Sequence, residues 1–136
     1  MLVALLAAVA PALTVAVEDS REMVELPEMM QEHMLANMRD HLVALDEILK
    51  HLGDEAFEQA AEVAESRLGM GSMALHGADH MAPFMPTGMQ QTGTAMHKAA
   101  SHFAVVAKEG DALHAYSTLR DITAACVACH SGYRIR

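Results

Sequence analysis

The sequence predicts an all-α domain, an antiparallel four-helix bundle, on three observations. Its apolar residues are of helix-forming kinds: twelve Met and abundant Ala stand against three Phe, two Tyr and no Trp, a balance that disfavours sandwich and barrel cores. Past residue 17 the apolar positions recur at three- and four-residue spacing, with no alternating run and no hairpin signal. Gly and Pro divide the chain at intervals that suit four helices, two tight turns and one long crossover.

With 136 residues, 52% hydrophobic and 20% charged, the chain has the size and composition of one packed domain rather than a disordered segment. Met1 to Val17 carries no charge; this run is short for a membrane span and suits the apolar region of a signal peptide. Thr14 and Ala16 are small residues at the -3 and -1 positions, so residues 1–16 are expected to be the leader and 17–136 the domain, exported to the periplasm. The usual Lys or Arg at the start of a leader is missing, and an uncleaved anchor is the alternative.

The first helix is expected between Pro27 and Gly53, with Met30, Met34, Met38, His41, Leu45, Ile48 and Leu52 on one stripe. A second is expected to start at Asp54 as N-cap and to bury Phe57, Ala60, Ala61, Ala64 and Leu68. From Gly69 to Gly88 the period breaks down into a crossover rich in Gly, His and Met. A third helix is expected from Thr87 to Lys108, with Met89, Met96, Ala100, Phe103 and Val106 or Ala107 inward. Glu109-Gly110-Asp111 stops it and caps a fourth, from Ala112 to near Tyr133, whose stripe reads Leu113, Tyr116, Leu119, Ile122 and Ala125 or Cys126.

Nine Lys and Arg against eighteen Asp and Glu leave a formal charge of -9, which argues against a nucleic-acid partner. Fourteen of the acids lie between Glu18 and Glu65, a surface that could steer a basic partner or simply be a solvated helical face.

Chemistry concentrates at Cys126-Val127-Ala128-Cys129-His130, which holds both cysteines of the chain. C-x-x-C-H is a c-type haem attachment sequence: thiols three apart on a helix share a face and can form thioethers to two vinyl groups, while His130 can reach the iron. Zinc would need a fourth ligand, a thioredoxin-like dithiol would need a preceding βαβ pattern, and a plain disulfide sits awkwardly on a regular helix and leaves His130 without a role.

Together with Tyr133 and Arg134, this C-terminal signature resembles the class II c-type cytochromes, the cytochrome c prime family and its low-spin relatives. The resemblance covers the mature chain in length and helix order, but only the signature is specific. It implies a bundle with one covalent haem c on the C-terminal helix, His130 as proximal iron ligand, and Tyr133 and Arg134 packed on the proximal side. It also implies a sixth ligand drawn from the first helix. A thioether there gives a low-spin electron carrier, and an aliphatic residue leaves an open site for nitric oxide or carbon monoxide. Met34 is the expected ligand, with Met30 or Met38 as substitutes, because Met34-x-x-Asn37 is similar to the ligand region of low-spin members. Met at helical spacing is also a common core filler.

The expected function is therefore electron transfer by Fe(III)/Fe(II) cycling, with a redox partner protein bearing a basic docking face, no nucleic acid, and a possible homodimer through the first two helices. Gas binding is the alternative. No enzyme activity is expected; a peroxidase would require His33 or His41 to face the haem. His76, His80, Met81, Met85 and Met89 form a second candidate metal group, since imidazole and thioether suit copper, although without a close-spaced repeat of ligands the more ordinary reading is that they pack the crossover against the bundle with the histidines exposed. His97, His102 and His114 are expected at the rim or exposed.

Overall fold

The computed structural model describes residues 18–136; the expected leader and its cleavage point lie outside the described residues. Helix α1 spans Glu28–Gly53 and starts at Pro27, whose carbonyl accepts from the Met30 and Gln31 amides. Proline suits this place because its fixed φ leads into a helix and it has no N–H to leave unpaired. The stop at Gly53 falls where the sequence places it. Asp54 differs from expectation: its amide bonds the Lys50 carbonyl and closes α1, rather than capping the next helix. The chain reverses through Glu55 at φ 55°, and helix α2, Phe57–Val63, begins at Ala56 without a side-chain cap.

Helix α2 continues as a wider π-turn over Ala64–Leu68 and ends at Gly69, which adopts extended backbone. A Cβ at Gly69 would lie 2.6 Å from the Glu65 carbonyl, so only glycine fits that exit. The crossover holds a 3-10 turn at Met70–Ser72, a one-turn helix α3 at Ala78–Met81 and a 3-10 turn at Ala82–Phe84. Helix α4, Thr87–Ala107, and helix α5, Ala112–Gly132, match their predicted spans, and the Asp111 carboxylate accepts from the His114 amide at 3.0 Å as the cap expected there. A pairing absent from the sequence reading joins the two ends of the domain. Strand β1, Glu22–Met23, runs parallel to strand β2, Tyr133–Arg134, and the Val24 amide extends it by donating to the Arg134 carbonyl at 2.8 Å.

The described residues are thus almost wholly helical, with α4 packed along α5 and with α2 and its π-turn against both α1 and α4. Arg67 on the π-turn ties that segment to α1 through Asp40 and, at 2.8 Å, Glu47. The interior divides into two clusters. One is built on eight alanines together with Ile48, Leu52, Leu68, Met96, Phe103, Leu119 and Ile122. The other gathers Val24, Met34, Met81 and Met89, with Met30, Met38, Met85, Cys129 and Tyr133 against them.

The buried faces of α1, α2 and α4 are those the spacing predicts. That of α5 is rotated: Leu113 is 82% exposed and Tyr116 43%, while Ala115 and Thr118 are buried in their place beside Leu119 and Ile122. Side chains of that size suit the packing of α5 along α4. Among the described residues no helix is long and apolar enough to cross a membrane.

This assignment of faces is open to a direct check. Ile122→Ala, which empties a fully buried site, should cost about 2–5 kcal/mol, whereas Leu113→Ala should stay within about 0.5 kcal/mol. Urea midpoints at constant m-value measure both, and a larger loss for Leu113→Ala would contradict the face given to the core.

Candidate functional site

A cavity of about 470 Å3 opens at the methionine end of the molecule. Helix α1 contributes Met34, Met38 and His41; the crossover contributes Met73, His76, Met81 and Met85; α4 contributes Met89, Met96 and His97. The last residues of α5 and the chain after it close the wall with Cys129, His130, Tyr133 and Arg134. Such a lining is mostly apolar with a few convergent polar groups, the usual make-up of a small-molecule or cofactor site.

Several contacts hold these walls in place. The Asn37 side-chain amide donates to the His76 carbonyl at 2.9 Å, so the Met34-x-x-Asn37 pattern ties the crossover to α1. The Gln90 side chain donates to the carbonyls of Ala82 and Met85, each at 2.9 Å. At the end of α5, Arg21 donates to the His130 carbonyl at 3.3 Å, satisfying one of the acceptors that a helix C-terminus leaves free. Gln31 reaches the Ile135 carbonyl, and Arg134 lies 3.7 Å from the Asp19 carboxylate. Tyr133 stands against Gly88, where a Cβ would come within 2.5 Å of the phenol oxygen.

The structure separates the residues named from sequence. Cys129 and His130 line the cavity, with Cys129 half-buried and His130 exposed at its edge. Cys126, one turn back, is half-buried against the alanine cluster and is not part of the lining. Burial pushes both thiols above the ordinary cysteine range, and both are free. Met34 is buried and shares a cluster with Cys129 and Tyr133; Met38 lines the cavity half-buried; Met30 packs on the cluster without lining it. Tyr133 and Arg134 are half-buried in the wall.

The second candidate group splits: His76, Met81, Met85 and Met89 line the cavity, and His80 is exposed outside it. His33 is exposed beside Gly77, and His102 and His114 are exposed as expected. His97 is a correction, because it is only 7% exposed and sits in the interior rather than at the rim.

His97 joins a feature that no motif signalled. The rings of His41, His76 and His97 cluster with centroids 4.8, 5.2 and 6.1 Å apart. Burial, followed by the repulsion of a neighbouring imidazole, pushes His76 below the usual histidine range and His41 down to about 4. A signal was available: His41 lies on the inward stripe of α1, and His97 directly follows Met96. What brings them to His76 is the path of the crossover, which has no period to read.

Cys129, His130 and Met34 are donors of the kinds a c-type haem takes and they line one apolar cavity, whereas Cys126, the second thiol of the motif, packs on the alanine cluster outside that lining. Neither a family model, nor a curated protein sequence, nor a solved structure matches this chain.

Neutral His41 makes stability depend on pH with a definite sign. The unfolded chain binds a proton at this residue near pH 6.5, whereas the native state does so only near about 4. Between these values the unfolded state holds more protons, so stability falls as the pH is lowered through the window and this contribution levels off below it. His41→Leu removes it. Urea midpoints from pH 7 to 4 should fall more steeply in the wild-type than in the variant; parallel lines would mean that His41 is not held neutral.

Proposed function

We propose that this protein is a c-type cytochrome of the class II kind: an antiparallel bundle of α1, α2, α4 and α5 that carries electrons through one covalently bound haem. The observation that carries the reading is the position of Cys129 and His130, the end of the C-x-x-C-H run, on the wall of an apolar cavity whose other walls include the buried Met34. Cys126 and Cys129 supply the thioethers and His130 the proximal nitrogen. The bound group supplies reversible one-electron Fe(III)/Fe(II) chemistry.

The protein's part is positional. The β1–β2 pairing and the Arg21 contact to His130 hold the end of α5, and Tyr133 in its Gly88 niche, with Arg134, fills the proximal side. Met34 supplies the sixth ligand. Its burial among Met81 and Met89 supports a preorganised thioether, which keeps small gases out and needs little rearrangement between oxidation states. Met30 lies outside the lining, so it is the weaker substitute; Met38, on the lining, is the stronger.

The remaining features fit the same role. Export to the periplasm places the chain where haem is covalently attached. The excess of acidic residues on the first half of the chain favours a redox partner with a basic docking face. Leu42 and Leu49, seven residues apart on one face of α1 and both exposed, are consistent with a homodimer through the first two helices.

The ferric spectrum tests this reading. A low-spin protein with a sulfur-to-iron charge-transfer band at the red edge is expected, and Met34→Ala should abolish the band and convert the iron to high spin, while Met30→Ala leaves both unchanged. A wild-type that is already high-spin and takes up carbon monoxide quickly when reduced would replace electron transfer with gas binding at an open sixth position.

A further inference from the structure

Three histidines from three separate elements meet inside this molecule: His41 from α1, His76 from the crossover and His97 from α4. By sequence position His41 lies between Met38 of the methionine cluster and Ala44 of the alanine cluster, and His97 directly follows Met96 of the alanine cluster. Burying three imidazoles takes them from water, and such groups ordinarily find hydrogen-bond partners inside the protein. Here that return is incomplete. His41 Nε2 and His76 Nδ1 are both buried without a partner.

His97 is partnered on one side only. Its Nδ1 bonds the Leu68 carbonyl at 2.7 Å, the acceptor left free where the π-turn ends at Gly69. That carbonyl can only accept, so Nδ1 carries the proton and the Nε2 lone pair is left for another use. A backbone carbonyl on one imidazole nitrogen is the arrangement that orients a metal-ligating histidine and fixes its tautomer.

The spacing of the rings agrees with this. An imidazole nitrogen about 2.0–2.1 Å from a metal puts its ring centroid about 3.2 Å away, so three such rings in trigonal or tetrahedral array have centroids about 5.2–5.6 Å apart. The observed separations of 4.8, 5.2 and 6.1 Å bracket that range. Among the described residues no three ligand side chains already surround one point, so the rings must shift for the site to close.

We propose that His41 Nε2, His76 Nδ1 and His97 Nε2 form a binding site for a single copper ion in its cuprous state. The choice of metal follows from charge and softness. Imidazole ligands bring no negative charge, and Asp40, the carboxylate whose field reaches both His41 and His76, is already engaged by Arg67. A monocation in such a site costs less desolvation than a dication. The thioethers of Met38, Met73 and Met96 line the same cavity, and sulfur of that kind selects Cu(I) over Zn(II). None of its ligands belongs to the attachment sequence, but the three histidines line the same cavity as Met34, Cys129 and His130, so the ion and the haem of the proposed function share that space.

The test is anaerobic titration of the purified protein with Cu(I) buffered by bicinchoninate, with any free cysteine thiol first blocked by alkylation. The wild-type should draw one equivalent from the chelator. His41→Gln and His76→Gln should each weaken that binding at least tenfold, while His80→Gln and His102→Gln, at exposed positions, leave it unchanged. Circular-dichroism melting shows whether each variant is folded. His76→Gln, in the crossover rather than a long helix, is the variant expected to fold even if His41→Gln does not. No equivalent taken up, equal uptake by folded His76→Gln, or retention of Zn(II) in preference to Cu(I) would each overturn the proposal.

Discussion

The division of the interior between alanine and methionine is the constraint on which the rest of this structure depends. Toward the ends of α1 and α4 and the starts of α2 and α5, eight alanines occupy the core positions, and side chains of that size let helix backbones come close. Around the start of α4 and the end of α5 the same positions pass to Met34, Met81 and Met89, with Met30, Met38 and Met85 about them. Methionine is long, unbranched and adaptable, so it can line a space without filling it rigidly. The cavity lies at that end. The three histidines line that cavity, His41 and His97 buried and His76 half-buried.

The site therefore relies on residues remote from it in sequence. Helix α5 ends at Gly132, and the chain beyond it is held by β1 and by Arg21, Gln31 and Asp19, all from the opposite end of the domain. Without these contacts the wall formed by Cys129, His130 and Tyr133 would be a fraying helix terminus. The crossover is held in a similar way by Asn37 and Gln90, which satisfy its carbonyls from the flanking helices. Polar side chains thus do at the cavity end what close apolar packing does at the other.

This division also explains what was legible in the sequence. The long helices were, because Met34, His41, Ile48 and Leu52 on α1 and Met89, Met96, Ala100 and Phe103 on α4 repeat with the helical period, and because Asp111 caps α5 as its residue type suggests. The face of α5 is not legible from size: Leu113 and Tyr116 are larger apolar groups than Ala115 and Thr118, yet it is the small pair that is buried. Asp54 looks like a cap but lies within reach of the Lys50 carbonyl, and the turn at Glu55 sets α2 to start later. The two-residue β1–β2 pairing is too short to leave a pattern. Beyond its place after Met96, nothing in the sequence around His97 marks it as interior, and only the fold of the aperiodic crossover brings His76 to it. The C-x-x-C-H run is visible in the sequence because its residues are adjacent; convergence of distant residues is not.

The central claim, that the cavity beside Cys129 and His130 receives a covalently attached haem, has one most direct measurement. The chain is produced in an exporting host with the haem attachment machinery, and its intact mass is recorded under denaturing conditions. The account predicts a mass equal to that of the processed chain plus one haem, lost when both Cys126 and Cys129 are replaced by Ser. A mass equal to that of the chain alone, from cells that load other c-type cytochromes in parallel, would contradict it.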